Sequence, residues 1–238
     1  MKDLHCHLLP GIDDGSKSIE ESIKILKTAE KEGVTDIMLT PHYIENTKYD
    51  CDNLKKKELF NRLVLETKRE HININLYLGN EVFITENFID LLMERKIITL
   101  NNTRYLLFEF PLSQIPYNAK NILYDLVTIG CIPVLAHPER YEEFQKNPTL
   151  AEEFVRMGVL LQGNYKSLFG KYGKDAKKVL KSYLKDGLIT FLASDTHHTD
   201  DYMISKAKRK TLEIVRDKKI VDDLFENNFD KLIRDQDI

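Results

Sequence analysis

Seven short apolar runs recur along the chain: Lys2 to His5, Asp36 to Leu39, Asn75 to Leu78, Tyr105 to Phe110, Ile132 to Ala136, Val159 to Gln162 and Ile189 to Ala193. Their length and β-rich composition predict strands. Helical periodicity fills the gaps. "SIEESIKILKTAEKEG" sets Ser18 and Glu21 in capping-box spacing, places Ile19, Ile23, Leu26 and Glu30 along one side, and stops at Gly33. "YNAKNILYDLVTIG" ends at Gly130, "NPTLAEEFVRMG" at Gly158 and "GKDAKKVLKSYLKDG" at Gly187. Strand, helix, glycine, strand is the rhythm of parallel βαβ units. No composition shift or low-complexity linker divides the chain, so the pattern predicts one barrel-like α/β domain over residues 1–238. An open doubly wound sheet is the alternative. Neither G-x-G-x-x-G nor G-x-x-x-x-G-K-[ST] follows the first strand, which argues against nucleotide binding.

Charged residues make up 31% and hydrophobic ones 42% of the 238, ordinary for a soluble globular protein. A net charge of −3 supplies no global positive field for nucleic acid or an anionic membrane. The densest basic run, Lys206 to Lys210, has Glu213, Asp217, Asp222 and Asp223 nearby and reads as a solvated helix face. Cys6, Cys51 and Cys131 are odd in number and lack C-x-x-C spacing, so reduced thiols and a cytoplasmic location are expected. No signal-peptide core is present, and no apolar run reaches the ~18 residues that span a bilayer.

Chemistry collects just past the strand ends. In "DLHCHLLPGIDDG", strand alternation points His5 and His7 to one face and Cys6 to the other, with Asp14 in the loop that follows. The second strand ends in "TPHY" with His42, the third in "GNEVF" with Glu81, and the fourth in "FEFP" with Glu109. The fifth gives "AHPER" with His137, Glu139 and Arg140, the sixth "QGNYKS" with Gln162 and Asn164, and the seventh "SDTHH" with Asp195 and His197. Five of the seven histidines thus lie at one edge. In a barrel the C-terminal strand ends form a single rim, where barrel enzymes build their sites. Imidazoles and carboxylates without thiolates suit Mn²⁺, Fe²⁺ or Zn²⁺, and so many ligands imply more than one ion. His71 and His198 are left as solvent or supporting groups.

With these motifs in order, "HCHLLPGIDDG", "TPH", "GNEV", "FEFP", "HPERY", "SLFG" and "SDTHH", the chain resembles the PHP family of polymerase and histidinol phosphatase domains over nearly its whole length. Within it, the sequence is most similar to the metal-dependent protein-tyrosine phosphatases of bacterial capsule and exopolysaccharide loci. The resemblance implies a distorted (β/α)₇ TIM-like barrel, three metal ions, manganese foremost, and a phosphotyrosine protein such as a bacterial tyrosine kinase as partner. Carried over residue by residue, His5, His7, Glu81 and Asp195 would hold one ion. Glu81, Glu109 and His137 would hold a second, and Asp14, His42 and His197 a third.

Phosphatases of this branch usually carry an arginine several residues after the last metal-binding histidine. Here "HHTDDYMISKAKRK" offers Tyr202, Lys206 and Lys208 before Arg209. Phosphate binding therefore falls to Arg140, whose planar fork matches phosphoryl oxygens, with Asp14 and His42 as the other candidate catalytic groups. The rival for Arg140 is a surface pair with Glu139 or Glu143. A thiol mechanism needs C-x₅-R, and the sixth residues after the cysteines are Ile12, Lys57 and His137, so Cys6 reads as a small buried hydrophobe. A small-molecule phosphatase, for instance on histidinol phosphate, an amidohydrolase-like enzyme and a non-catalytic adaptor are the alternatives.

Overall fold

A computed structural model describes residues 1–199 and 202–238; the Asp200 and Asp201 of the "HHTDDY" stretch lie outside them. The strands are β1 (Lys2–Cys6), β2 (Asp36–Leu39), β3 (His42–Tyr43), β4 (Asn75–Leu78), β5 (Glu81–Phe83), β6 (Tyr105–Glu109), β7 (Ile132–Ala136), β8 (Leu160–Asn164) and β9 (Phe191–Ala193). The helices are α1 (Ile19–Lys31), α2 (Asn53–Arg69), α3 (Phe88–Met93), α4 (Ala119–Thr128), α5 (Glu142–Lys146), α6 (Leu150–Arg156), α7 (Gly173–Lys185), α8 (Ile204–Val215), α9 (Lys218–Asp222) and α10 (Asn228–Ile233). All strand pairings are parallel, in the orders β1-β2-β4 and β3-β5-β6-β7-β8-β9.

The seven predicted strands are all present, but the second and third each continue past a break into the other sheet as β3 and β5. Pro41 has no N–H to give a ladder, which ends β2. At Gly79 a Cβ would stand 2.7 Å from Leu100 Cδ2, so the chain passes Leu100 only without a side chain. Asn80 ties the two breaks together. Its Nδ2 donates to the Pro41 carbonyl at 3.0 Å, and its Oδ1 accepts from Ile98 N and Lys56 Nζ, each at 3.0 Å. His42 and Glu81 begin their strands directly after these knots.

Strand alternation sorts the core into two layers. Tyr105, Leu107, Val134, Ala136, Phe191 and Ala193 pack among the strands, while Leu106, Phe108, Leu135 and Leu192 face the helices. Phe229 and Leu232 of α10 join the inner set, and Lys2 pairs with Asp230, so the C-terminal helices cover the N-terminal strand ends. Beside β9, the chain reaches β1: Asp195 N donates to His5 O and His7 N to Thr196 O, both at 2.8 Å. The buried Asp3 carboxylate reinforces this seam, accepting from Ser194 N at 2.9 Å and Tyr202 OH at 2.6 Å.

Smaller expectations need correction. Ser18 Oγ does accept from Glu21 N at 3.2 Å, but the Glu21 carboxylate reaches Lys17 N at 2.7 Å instead of closing the box on Ser18. Ala29 fills the buried side of α1, and Glu30 accepts from Asn73 N at 2.6 Å near the surface.

Burial pushes the Lys56 amine down to about 8, outweighing the Asn80 bond, the face of Tyr43 4.9 Å away and the favourable charges of Asp50 and Asp52. A lowered amine contributes its full stability above the unfolded value of 10.5 and loses it as pH falls through about 8. We expect Lys56→Met to flatten the part of the stability increase between pH 7 and 10 that this amine supplies, read from urea midpoints. An unchanged slope would mean that Lys56 is not desolvated.

Candidate active site

A bulge in β1 aims the first two histidines. Lys2 and Asp3 pair with Asp36 and Ile37, but Cys6, not Leu4 or His5, opposes Leu39, so one extra residue sits in β1. Leu4 joins the inner core, while His5 and His7 converge with their Nε2 atoms 3.1 Å apart. Cys6 turns outward, as alternation predicts, and its buried thiol contacts the Met38 carbonyl at 3.3 Å. Burial pushes that thiol well above its ordinary range, which disfavours a nucleophilic thiolate.

The outer nitrogen of each imidazole is committed. His5 Nδ1 lies 2.7 Å from Gln162 Oε1, an oxygen identified by the neighbouring Nε2, which donates to Gly163 O at 2.8 Å. His7 Nδ1 lies 2.8 Å from the carboxylate of Asp13. Both partners only accept, so Nδ1 carries the proton and the Nε2 lone pairs face inward. Asp13 also accepts from His42 N at 3.1 Å and Gly15 N at 3.0 Å, folding the "GIDDG" loop onto His7. Gly15 permits that approach, since a Cβ there would meet the His7 carbonyl oxygen at 2.0 Å.

Glu81 stands at the centre. Its Oε2 lies 3.1 Å from His5 Nε2, 3.2 Å from His7 Nε2 and 3.1 Å from His42 Nδ1, and its Oε1 lies 3.1 Å from His137 Nε2. Glu109 reaches His42 Nδ1 at 3.2 Å and His137 Nε2 at 3.7 Å. Asp195 Oδ1 is 3.4 Å from His7 Nε2 and 3.5 Å from His197 Nδ1, and Asp14, its side chain 52% exposed, bridges His42 and His197 at 3.5 and 3.4 Å. All nine predicted ligands therefore meet at one end of the strands. By distance, three sets could each hold an ion: His7, Asp14, His42 and His197; His5, His7 and Glu81; His42, Glu81 and Glu109. These sets cross the partition implied by family resemblance at His7 and His42.

The donors fit divalent cations. Glu81 Oε2 and His42 Nδ1 are buried without a hydrogen-bond partner, although nitrogen and oxygen atoms crowd within 3.2 Å. Lone pairs so placed repel unless a cation lies among them. Burial opposes the charge of Glu81 and Asp195, yet positive charge on the surrounding imidazoles, His5 foremost, holds both carboxyls well below the usual range, a part that a bound cation would take over where those nitrogens present lone pairs. His137 and Asp195 take left-handed backbone angles, φ 37° and 49°, strain that clusters where a side chain must be aimed.

Arg140 stands beside this cluster rather than on a surface pair. Its Nη1 donates to Asp195 Oδ2 at 2.9 Å, and its guanidinium lies 4.4 Å from the centre of the Tyr172 ring. Asn164 Nδ2 donates to the same Asp195 oxygen at 2.9 Å and to Tyr172 OH at 3.0 Å, and buried Lys166 Nζ donates to the Asp195 carbonyl at 2.7 Å. The two rivals for Arg140 are engaged elsewhere. Glu143 accepts from Ile115 N at 2.7 Å; Glu139 is buried, accepts from Asn164 N and Ser167 Oγ, and is pushed up to about 7 by desolvation. His71 is exposed beyond α2, and His198 neighbours His197 with ring centres 6.3 Å apart. Asp13, Tyr172 and Lys166 were not singled out from sequence. Asp13 alone left a sign, as the partner of Asp14 in "DDG".

An α/β scaffold whose strand ends gather imidazoles, carboxylates and an arginine defines a metallohydrolase class of site. The chain matches the family described as capsular polysaccharide synthesis, CpsB/CapC, over residues 1–234, and it belongs to that family. It is 40% identical to CapC of Staphylococcus aureus over 83% of this chain and 77% of the relative. It is 36% identical to the tyrosine-protein phosphatase YwqE of Bacillus subtilis over 83% and 78% of the two chains. A solved structure from work on YwqE and Streptococcus pneumoniae CpsB, described as metal-dependent tyrosine phosphatases, superposes with a TM-score of 0.93 at 32% identity, covering 100% of this chain and 96% of that one. An organophosphorus hydrolase, at TM-score 0.59 and 11% identity, shares the fold alone.

Because Asp13 fixes the proton of His7 and the backbone of His42, Asp13→Asn should weaken Mn²⁺ binding by ~10-fold or more, the usual cost of losing a ligand's supporting partner. Titration calorimetry on metal-stripped protein reads this directly. Equal affinity for variant and parent would show that His7 is held without Asp13.

Proposed function

We infer that this chain is a metal-dependent tyrosine-protein phosphatase of capsular polysaccharide synthesis, acting on a phosphotyrosine protein, in our reading a bacterial tyrosine kinase in the cytoplasm. The observation that carries the reading is the Glu81 carboxylate, buried among four imidazoles with one oxygen unpartnered. Family membership and the relatives' names supply the substrate class. We read the scaffold as one distorted (β/α)₇ barrel over residues 1–238; the backbone bonds between β1 and the chain after β9, and the seven-run strand pattern, support that closure. Among the described residues, no helix is long and apolar enough to cross a membrane.

The proposed cofactor is a set of three divalent ions, Mn²⁺ first and Fe²⁺ or Zn²⁺ next by donor chemistry. His5, His7, Glu81 and Asp195 would hold one, Glu81, Glu109 and His137 another, and Asp14, His42 and His197 the third. When bound, such ions supply hydroxide at neutral pH and neutralise phosphoryl charge.

The chain's own residues do the remaining work. Arg140 is 22% exposed, with one N–H on Asp195 and its plane steadied by Tyr172, so its fork can meet two phosphoryl oxygens as charge builds in the transition state. Asp195, gripped through one oxygen by Arg140 and Asn164, keeps its other oxygen toward the imidazoles. Asp14 and His42, at the open side, would serve the reaction by holding the third ion beside the phosphoryl group rather than as proton donors. A phenol with a pKa of about 10 needs less help to leave than an alkyl alcohol. That favours tyrosine over serine esters at a site with no strong acid committed to the leaving group.

We expect Arg140→Ala to lower kcat/KM on an aryl phosphate by ~10²-fold with metal content unchanged, and Arg140→Lys to recover only part, since a point charge cannot make two parallel bonds. Arg209→Ala should cost far less on this small substrate. Full activity in Arg140→Ala would remove that residue from the site. Activity that survives complete removal of divalent metal would overturn the whole reading.

A further inference from the structure

The basic run on α8 does not form the evenly solvated face that its composition suggests. Lys208 turns inward to Asp222 at 2.7 Å and to Glu226. Lys206 turns the other way, toward Phe169, and with Arg209, Lys210 and Lys177 of α7 it walls a groove of about 490 Å³ in which Glu213 is the sole acidic wall residue among the described residues. Lys206 Nζ lies 4.9 Å from the centre of the Phe169 ring, and Glu213 is already paired with Lys210. Four cations and one engaged carboxylate thus face one concavity, on a chain whose net charge is −3.

Its place in the fold links it to the active site. Phe169 ends a 3₁₀ turn, Tyr165–Phe169, that starts one residue after Asn164, the amide on Asp195. Helix α7 starts one residue after Tyr172, whose ring carries Arg140, and α8 follows the His197 loop. All three walls leave from the rim, and Lys177, Lys206, Arg209 and Lys210 lie in the first two turns of their helices.

We propose that this groove docks acidic residues of the polypeptide that carries the phosphotyrosine, so that substrate choice depends on negative charge beside the reacting tyrosine. The proposal rests on the phosphatase reading above for its substrate. A concave wall of four cations against one carboxylate, next to an arginine-bearing rim, favours an anionic chain over a neutral one and raises its encounter rate, an effect that salt weakens. The Phe169 ring gives the chain an apolar surface to lie on.

The test compares two phosphotyrosine peptides, one flanked by glutamates and one by glutamines, on the parent and on the double variant Lys206→Glu with Arg209→Glu. The parent should show a KM about fivefold to tenfold lower for the glutamate peptide, fading in 0.5 M salt to about twofold, as expected for a few partly screened charge contacts. The double variant should lose the preference while its kcat on a small aryl phosphate stays within about twofold, as expected for surface changes away from the reacting atoms. Anisotropy of a fluorescein-labelled glutamate-rich peptide without phosphate reads the groove independently of catalysis, and charge reversal should weaken its binding about tenfold, the scale of a few lost surface charge pairs. Equal KM for both peptides on an active parent, or peptide binding indifferent to the reversal, would overturn the groove and leave the phosphatase reading standing. Failure to hydrolyse the aryl phosphate would instead count against the reading beneath it.

Discussion

The approach of four imidazoles to the Glu81 carboxylate is the constraint on which the rest of this molecule depends. Three nitrogens close to within 3.2 Å of one buried oxygen that receives no hydrogen bond. Buried groups of this kind are costly unless each charge and lone pair finds a partner. A bound metal would resolve that conflict, and the fold is arranged to bring the conflict about. The β1 bulge turns His5 and His7 inward together, the Pro41 and Asn80 breaks start new strands at His42 and Glu81, and left-handed turns aim His137 and Asp195.

Around this centre lies a shell of groups that decide direction rather than ligation. Gln162 and Asp13 take the outer protons of His5 and His7; Asn164, Lys166 and Arg140 grip Asp195 from the side away from the imidazoles. Such groups fix ring orientation and tautomer, which determines whether a set of nitrogens and oxygens is a site or only a neighbourhood. The shell links β1, β8 and the loops after β7 and β9, so packing of the α/β core and precision of the site are one problem. Covering the N-terminal strand ends with α10 leaves the opposite end for chemistry.

Much of this was legible in the sequence, for identifiable reasons. Short apolar runs, amphipathic helices and glycine stops report local preference, and they located seven of the nine strands and the parallel order; β3 and β5 were read only as the ends of the strands before them. Strand-end histidines and carboxylates carry their own chemistry, so all nine were visible one at a time. What was hidden needs three dimensions. The jump of the second and third strands between sheets depends on Leu100 pressing against Gly79 and on Asn80 reaching Pro41, neither of which leaves a periodic trace. Tyr172 meets Arg140 across 32 residues of sequence, and a lysine such as Lys166 looks like surface until its amine is seen buried against the Asp195 carbonyl. The opposing orientations of Lys206 and Lys208 likewise appear only once α9 and the 3₁₀ turn after β8 flank α8.

The most direct measurement of the central claim is the metal content of Glu81→Gln beside the parent, by elemental analysis of folded, extensively dialysed protein. The amide keeps shape and volume but removes the charge and one oxygen from the middle of the cluster. The parent should carry two or three equivalents of transition metal and the variant at least one fewer, and phosphotyrosine hydrolysis should fall with the lost metal while circular dichroism is unchanged. A variant with the parent's full metal content and turnover would contradict the central claim.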